Sequence, residues 1–312
     1  MIILVLLIAF KVFFIAFPDI TLPAARDGLL LWFNNVLPAL LPFMIVSNLL
    51  TGMGYSRFLG RFFAPIMRRV FGLPGVGGVA LVTGLTSGYP IGAKTVADLR
   101  KSGQLSIQEA QHLLAFCNNA GPLFILGVVG VGLFGSTKIG YLLLAAHIFA
   151  ALTIGVVMRF LIHKNNQPIS QTTTIEIATT NFNSALGNAV KNAMESMAVI
   201  GGLIIFFNTA TAIIMQIALP DSGLFSGLAT ALVEVTSGVR RISEMGATTE
   251  SLAIAAFAIA FGGFSIHMQT FHFTENTGIR TVTYLLCKIL HGIVAAVVTV
   301  MLWLAFSDII MV

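Results

Sequence analysis

The sequence predicts an all-α integral membrane protein, with about seven transmembrane helices plus two re-entrant hairpins in an inverted repeat. Three observations lead there. Hydrophobic residues fill 57% of the 312 positions and charged residues only 9%, against roughly 25% charged in a soluble domain. Seven apolar runs approach or exceed the length of a crossing, which takes about 20 helical residues through a hydrocarbon core of about 30 Å. Two Gly-containing segments between the runs do not fit as spans, yet both carry Thr-Ser-Gly.

The elements follow in order. The opening stretch, residues 1–17, lacks a basic leader, is interrupted by Lys11 and shows no small-x-small cleavage pattern, so it reads as a retained helix rather than a signal peptide. With a loop to residue 27 it forms an N-terminal unit. A first repeat spans 28–161. It opens with helix 28–54, where Asn34, Asn35, Pro38 and Pro42 predict a kink and one polar side. Residues 55–72 alternate Arg with Phe and Leu, as an interfacial amphipathic segment does. A hairpin over 75–102 precedes helix 106–134, broken at "FCNNAGPLF" (116–124), and helix 138–161. Residues 162–183 read as a cytoplasmic linker. The second repeat, 184–312, holds helix 184–219, a hairpin over 222–247, helix 250–277 broken at "FGGFSIHMQ" (261–269), and helix 281–306.

Three landmarks recur in the same order: Thr-Ser-Gly at 86–88 and 236–238, a broken helix, and a helix starting Tyr-Leu-Leu at 141 and 284. With the N-terminus cytoplasmic, Arg57, Arg61, Arg68, Arg69, Lys94, Arg100, Lys101, Arg159, Lys164, Lys191 and Arg280 fall inside or toward the inside. Arg26, Lys138, Arg240 and Arg241 fall outside. That asymmetry makes the two units antiparallel, the architecture of many secondary transporters. The net charge of +5 then reflects topology and not nucleic-acid binding. Cys117 and Cys287 lie in apolar runs and give neither a disulfide framework nor a metal site.

Irregular backbone at membrane depth must be buried in protein or line a wet cavity. In "GLTSGYPIGAK" (84–94), Gly88 and Gly92 permit a tight turn, Pro90 stops a helix, and Thr86 and Ser87 either bind a solute or cap their own helices. Lys94 either attracts an anion or snorkels to the interface, and the proximity of Arg100 and Lys101 favours snorkelling. Asn118 and Asn119 each offer donors and an acceptor, as nucleobase edges and sugars require, or else bond between helices. Ser265, His267 and Gln269 form the matching set in the second break. Thr236 and Ser237 sit in the second hairpin, where Glu234 carries a coupling H+ or Na+ or pairs with Arg240 and Arg241. His267, His272 and Glu275 do not have zinc-protease spacing, so no metal, cofactor or enzyme activity is expected.

The motifs "GLLLWFNNVLPALLPFMIVSNLL", "TSGYPIGAK", "AFCNNAGPLFILG" and "FGGFSIHMQ", in that order, resemble the YlbJ-like sporulation integral membrane proteins over about residues 10–306. That family carries the nucleoside-recognition or Gate domain, distantly similar to concentrative nucleoside transporters. The resemblance implies a bacterial cytoplasmic-membrane protein. Carried over from the transporters, the site would comprise Thr86–Gly88, Asn118–Pro122, Thr236–Gly238 and Gly262–Gln269. The leading expectation is a secondary transporter of a small polar solute, nucleoside-like or anionic, driven by an ion gradient or the solute's own, since no nucleotide-binding loop occurs. The alternative is a non-transporting factor for envelope or spore-cortex assembly. The lipid bilayer is the expected partner, and homo-oligomerisation stays open.

Overall fold

The computed structural model describes residues 2–53, 56–162, 182–218 and 223–311. Among them all regular structure is helical. The helices are α1 (Ile2–Ala16), α2 (Pro18–Leu31), α3 (Leu37–Gly52), α4 (Ser56–Ile66), α5 (Gly77–Thr86), α6 (Ile91–Lys101), α7 (Ile107–Cys117), α8 (Thr137–Ile162), α9 (Phe182–Ala218), α10 (Leu224–Val233), α11 (Val235–Ser243), α12 (Thr249–Phe261), α13 (Gly263–Thr274) and α14 (Thr281–Met311). Wider π-helical turns run over Trp32–Val36, Met67–Phe71 and Phe124–Leu133.

Four helical stretches among the described residues are long and apolar enough to cross a membrane: Thr137–Leu161, Phe182–Gln216, Thr249–Thr274 and Thr281–Asp308. The earlier runs depart from single straight spans. Helix begins at Pro18, so residues 18–27 are helical and not the expected loop. The 28–54 run opens into a π turn at Trp32–Val36. Pro38 has no N–H for the Asn34 carbonyl and its ring crowds that carbonyl, so the helix widens there. The 106–134 run divides at residues 118–121, between α7 and a short turn leading into the π segment. Most of the expected linker, residues 163–181, lies outside the described residues.

The outer faces identify the solvent. On α14, Val282, Leu286, Ile293, Val297, Met301 and Leu304 are exposed, at helical spacing along one side. The opposite side buries Tyr284, Cys287, Lys288, His291, Thr299 and Trp303. A helix apolar outside and polar inside is inverted relative to a soluble protein, as hydrocarbon surroundings require. α8 repeats the pattern, with Tyr141, Phe149, Phe160 and Leu161 exposed and His147 buried.

α14 packs along α12 and α8, while α9 packs on α2 and α3. Two devices start the broken helices alike. Ser106 accepts from Glu109 N–H while Glu109 accepts from Ser106 N–H, and Thr248 and Ser251 do the same for α12. Each reciprocal pair satisfies two of the N–H groups a helix start leaves unpaired. At one end of the bundle, Arg100 donates to Thr277 O at 3.3 Å and Lys101 to Phe273 O at 3.2 Å. There Gln111 also grips Arg280 twice, accepting from its N–H at 2.6 Å and donating to its carbonyl. Arg100, Lys101 and Arg280, which the sequence assigns to one side, thus share one end.

Candidate binding site at the broken helices

The polar segment 84–94 is the turn between α5 and α6, and it is built around the end of α7. A Cβ on Gly84 would lie 1.7 Å from Cys117 O, and one on Gly92 would lie 2.0 Å from the same atom. Gly88 turns with φ +83° against Gly121. Gly84 and Gly92 therefore let α7 rest its last carbonyl, that of Cys117, directly on hairpin backbone. The second half pairs its parts comparably. A Cβ on Gly238 would meet Ala231 at 2.2 Å, and one on Gly263, in the second break, would meet Ala231 O at 2.7 Å.

The first break exposes three backbone groups, and each is met from a different element. Lys288 of α14 donates to Asn118 O at 2.9 Å. Tyr89 N–H, from the hairpin tip, donates to Asn119 O at 2.5 Å. Ala120 N–H donates to His147 Nε2 of α8 at 3.1 Å. Lys288 is 1% exposed and lies at the C-terminal end of α7, where the helix dipole favours a cation.

Asn118 links this break to α13 and α14. Its Nδ2 donates to Thr270 Oγ1 at 2.9 Å and to Tyr284 Oη at 2.8 Å. Tyr284 Oη also meets His267 Nδ1 at 3.3 Å. Tyr284 Oη lies 3.5 Å from Thr270 Oγ1 as well, and its hydrogen serves either that oxygen or Nδ1, so the His267 tautomer decides whether Nε2 donates or accepts. The Tyr89 ring lies against Gly262 of the second break.

Around this junction, buried polar atoms have no hydrogen-bond partner among the described residues: Ser87 Oγ, Tyr89 Oη, Asn118 Oδ1, Asn119 Oδ1, His267 Nε2, and both Gln269 Nε2 and Oε1. A buried polar group left unpaired costs about 1–3 kcal/mol. So many at one junction mark a place where donors and acceptors are held ready. Asn119 uses its other end locally, Nδ2 donating to Phe116 O at 2.7 Å. Ser265 is buried on α13, two residues before His267.

Other expected site residues are placed elsewhere. Thr86 is exposed and donates back to Val82 O at 2.7 Å, so it satisfies its own helix. Lys94 does not stand free. It pairs with Asp98 at 2.7 Å and donates to Asn48 Oδ1 at 3.3 Å, in a cavity of about 10 Å3 also lined by Met44 and Thr95. Thr236 and Ser237 are not at the second hairpin's tip, which falls at Glu234. They form the first turn of α11, and Ser237 Oγ reaches Asn208 Oδ1 of α9 at 3.5 Å. Glu234 accepts from Thr236 N–H at 3.0 Å and Ser237 N–H at 2.7 Å, so its carboxylate caps α11 rather than pairing with an arginine. Arg241 instead donates to Ser226 Oγ.

The sequence reading passed over Lys288, His291, His147, Tyr89 and Tyr284. The signal was present: Lys288 is a lysine near the start of a long apolar run, and an ionisable group inside a span marks a site by default.

Comparison with known proteins places these features. The profile of the Gate family, described as nucleoside recognition, matches residues 33–307. A curated relative, the sporulation integral membrane protein YlbJ of Bacillus subtilis (strain 168), is 33% identical across 93% of this chain and 79% of its own length. No solved structure matches significantly.

Proposed function

We propose that this chain, which belongs to the Gate family of nucleoside-recognition proteins, is a secondary transporter of a small, uncharged, hydrogen-bonding solute of nucleoside-like chemistry. It is a multi-pass membrane protein, and we place it in the bacterial cytoplasmic membrane with its N-terminus inside. α5–α6 and α10–α11 act as re-entrant hairpins that meet the two broken helices of an inverted repeat, and rocking of the halves alternates access to the site between them.

The observation that carries this reading is the set of unpaired buried groups at the junction. Gln269 offers donors and an acceptor, Asn118 and Asn119 offer acceptors, Ser87 and Tyr89 offer hydroxyl donors, and His267 Nε2 offers a donor or an acceptor according to its tautomer. That mixture suits an uncharged base or sugar edge. It does not suit an anion, because Lys94 is already paired with Asp98 and Lys288 with a backbone carbonyl. A second reading, a non-transporting factor for spore-envelope assembly, is favoured by the printed name of the Bacillus relative.

The test is thermal stabilisation of purified protein in detergent by nucleosides, nucleobases, sugars and carboxylates. A ligand that binds only the folded state raises the melting temperature by mass action. We expect a nucleoside such as uridine to raise it in the wild type and not in Gln269→Met. Folded protein that responds to none of these classes would overturn the transport reading in favour of the assembly factor.

A further inference from the structure

The buried basic cluster on α14 and α8 has no part in recognising a solute, yet it is tied to the residue that does. Lys288 Nζ donates to Asn118 O and lies 3.2 Å from His291 Nδ1. His291 Nε2 lies 3.2 Å from His147 O, a carbonyl, so that nitrogen must carry a hydrogen. His291 Nδ1 is therefore the acceptor from Lys288. His147 Nε2 accepts from Ala120 N–H, so its hydrogen sits on Nδ1 and the ring is neutral. The groups facing Lys288 are Asn118 just after α7, His147 of α8, His267 of α13, and Cys287 and His291 on its own helix. No carboxylate is among the hydrogen-bond partners of its Nζ.

We propose that Lys288 is the proton-binding coupling residue: a tethered cation that sits on the C-terminal end of α7 and exchanges its proton with His291 as the adjoining solute site fills and empties. Half-helix C-terminal ends are where transporters of this architecture coordinate a coupling cation. Here the chain supplies the cation itself, so the ion that moves is a proton and not sodium. When the proton passes from Nζ to Nδ1, the Nζ–H bond breaks, its electron pair stays on Nζ and a neutral amine faces an imidazolium. The hydrogen bond to Asn118 O then loses its charge assistance, about half its strength. Asn118 carries the effect onward, because its backbone is held by Lys288 while its side chain is held by Thr270 and Tyr284 and leaves Oδ1 unpaired. Linkage makes the effect reciprocal: a proton that alters solute affinity is itself bound differently once solute is present.

This proposal rests on the transport reading, and the experiment separates the two. Melting temperature is followed from about pH 5 to about pH 10 without ligand, a span that covers ordinary His and Lys titration, for wild type, Lys288→Met and Lys288→Arg. The arginine variant stays charged throughout. We expect the gap between wild type and each variant to change with pH, since only the wild type can gain or lose a proton at this position. Parallel curves would mean a fixed structural cation and would overturn the proposal. Should both variants fail to fold, the 15N signal of the Lys288 amine in the wild type decides the same question by titrating or not. A second arm adds uridine to weakly buffered wild-type protein with a pH dye, where a coupled site takes up or releases up to about one proton per site. Uridine binding with no proton change overturns the coupling alone. No uridine binding, with a pH-dependent gap in the first arm, overturns the nucleoside reading and leaves the proton site standing.

Discussion

Replacing Gly84 with alanine tests whether the hairpin really cradles the broken helix. The new Cβ would stand 1.7 Å from Cys117 O, whereas real contacts keep at least 3.0 Å, so the two backbones must part by about 1.3 Å, the difference of those distances. The obstacle is a carbonyl on a packed helix end and not a flexible side-chain tip, so relief requires moving α7 and the groups tied to Asn118. Overpacking a buried contact costs typically 1–3 kcal/mol, and backbone against backbone belongs at the upper end. Against this, alanine in a helix interior gains about 1 kcal/mol over glycine. The net expectation is a loss of about 2 kcal/mol, a factor of about 30 in the folding equilibrium. The assay is equilibrium unfolding by SDS titration in mixed micelles, followed by tryptophan fluorescence. Gly202→Ala is the control: that residue is helical, and a Cβ there meets nothing within 4 Å, so it should match or exceed wild type. If Gly84→Ala and Gly202→Ala unfold together, the close approach drawn here is wrong.

Three further outcomes follow from the same geometry. Gln269→Met removes two buried unpaired atoms, so the ligand-free protein should become more stable by about 1–3 kcal/mol while losing any nucleoside-induced shift; a less stable variant would show that Gln269 is already satisfied. Glu234→Ala removes the acceptor for Thr236 and Ser237 N–H and should cost about 0.5–2 kcal/mol in the same SDS titration. If sodium chloride stabilises the wild type over potassium chloride and that difference vanishes in Glu234→Ala, the carboxylate is an ion site and not a cap. Gln111→Ala leaves Arg280 N–H without its acceptor, while the Arg280 carbonyl keeps Tyr284 N–H, and should destabilise by about 1–3 kcal/mol, with faster amide exchange at the start of α14; unchanged exchange there would refute the clamp.

The all-helical class and the membrane setting were legible because composition and run length carry them, and α8, α9, the α12–α13 pair and α14 match their apolar runs closely. The break points were legible too, since "NNAGP" and "FGG" combine helix-stopping residues with buried polar ones. What the sequence hid was partnership. Whether Lys94 faces a solute, lipid or Asp98 depends on where α3 puts Asn48, 46 residues away in sequence. Thr-Ser-Gly occurs twice, yet one copy is a turn and the other the first turn of a helix, because Glu234 caps α11 two residues earlier and has no counterpart before Thr86. Lys288 went unread for a related reason. Apolar periodicity assigns a helix its lipid face, but the value of a lone buried cation depends on which carbonyl a neighbouring helix leaves open.

That dependence also sets the two halves apart. The second break is closed by backbone contact with its own hairpin, Gly263 against Ala231, and its polar side chains stay turned to the junction. The first break is held by three separate elements, through Lys288, Tyr89 and His147, and only one of the three is an ammonium group. The backbone bond from Tyr89 N–H to Asn119 O has no proton to gain or lose, whereas an ammonium on a helix carboxyl end gains or loses its charge assistance with one proton. Proton control exerted through Lys288 therefore enters at the first break, and removing the Lys288 charge should loosen Asn118 before it disturbs Gly262. Amide exchange at Asn119 and at Gly263 in Lys288→Met would separate the two. Faster exchange at both alike would mean that the halves respond as one unit.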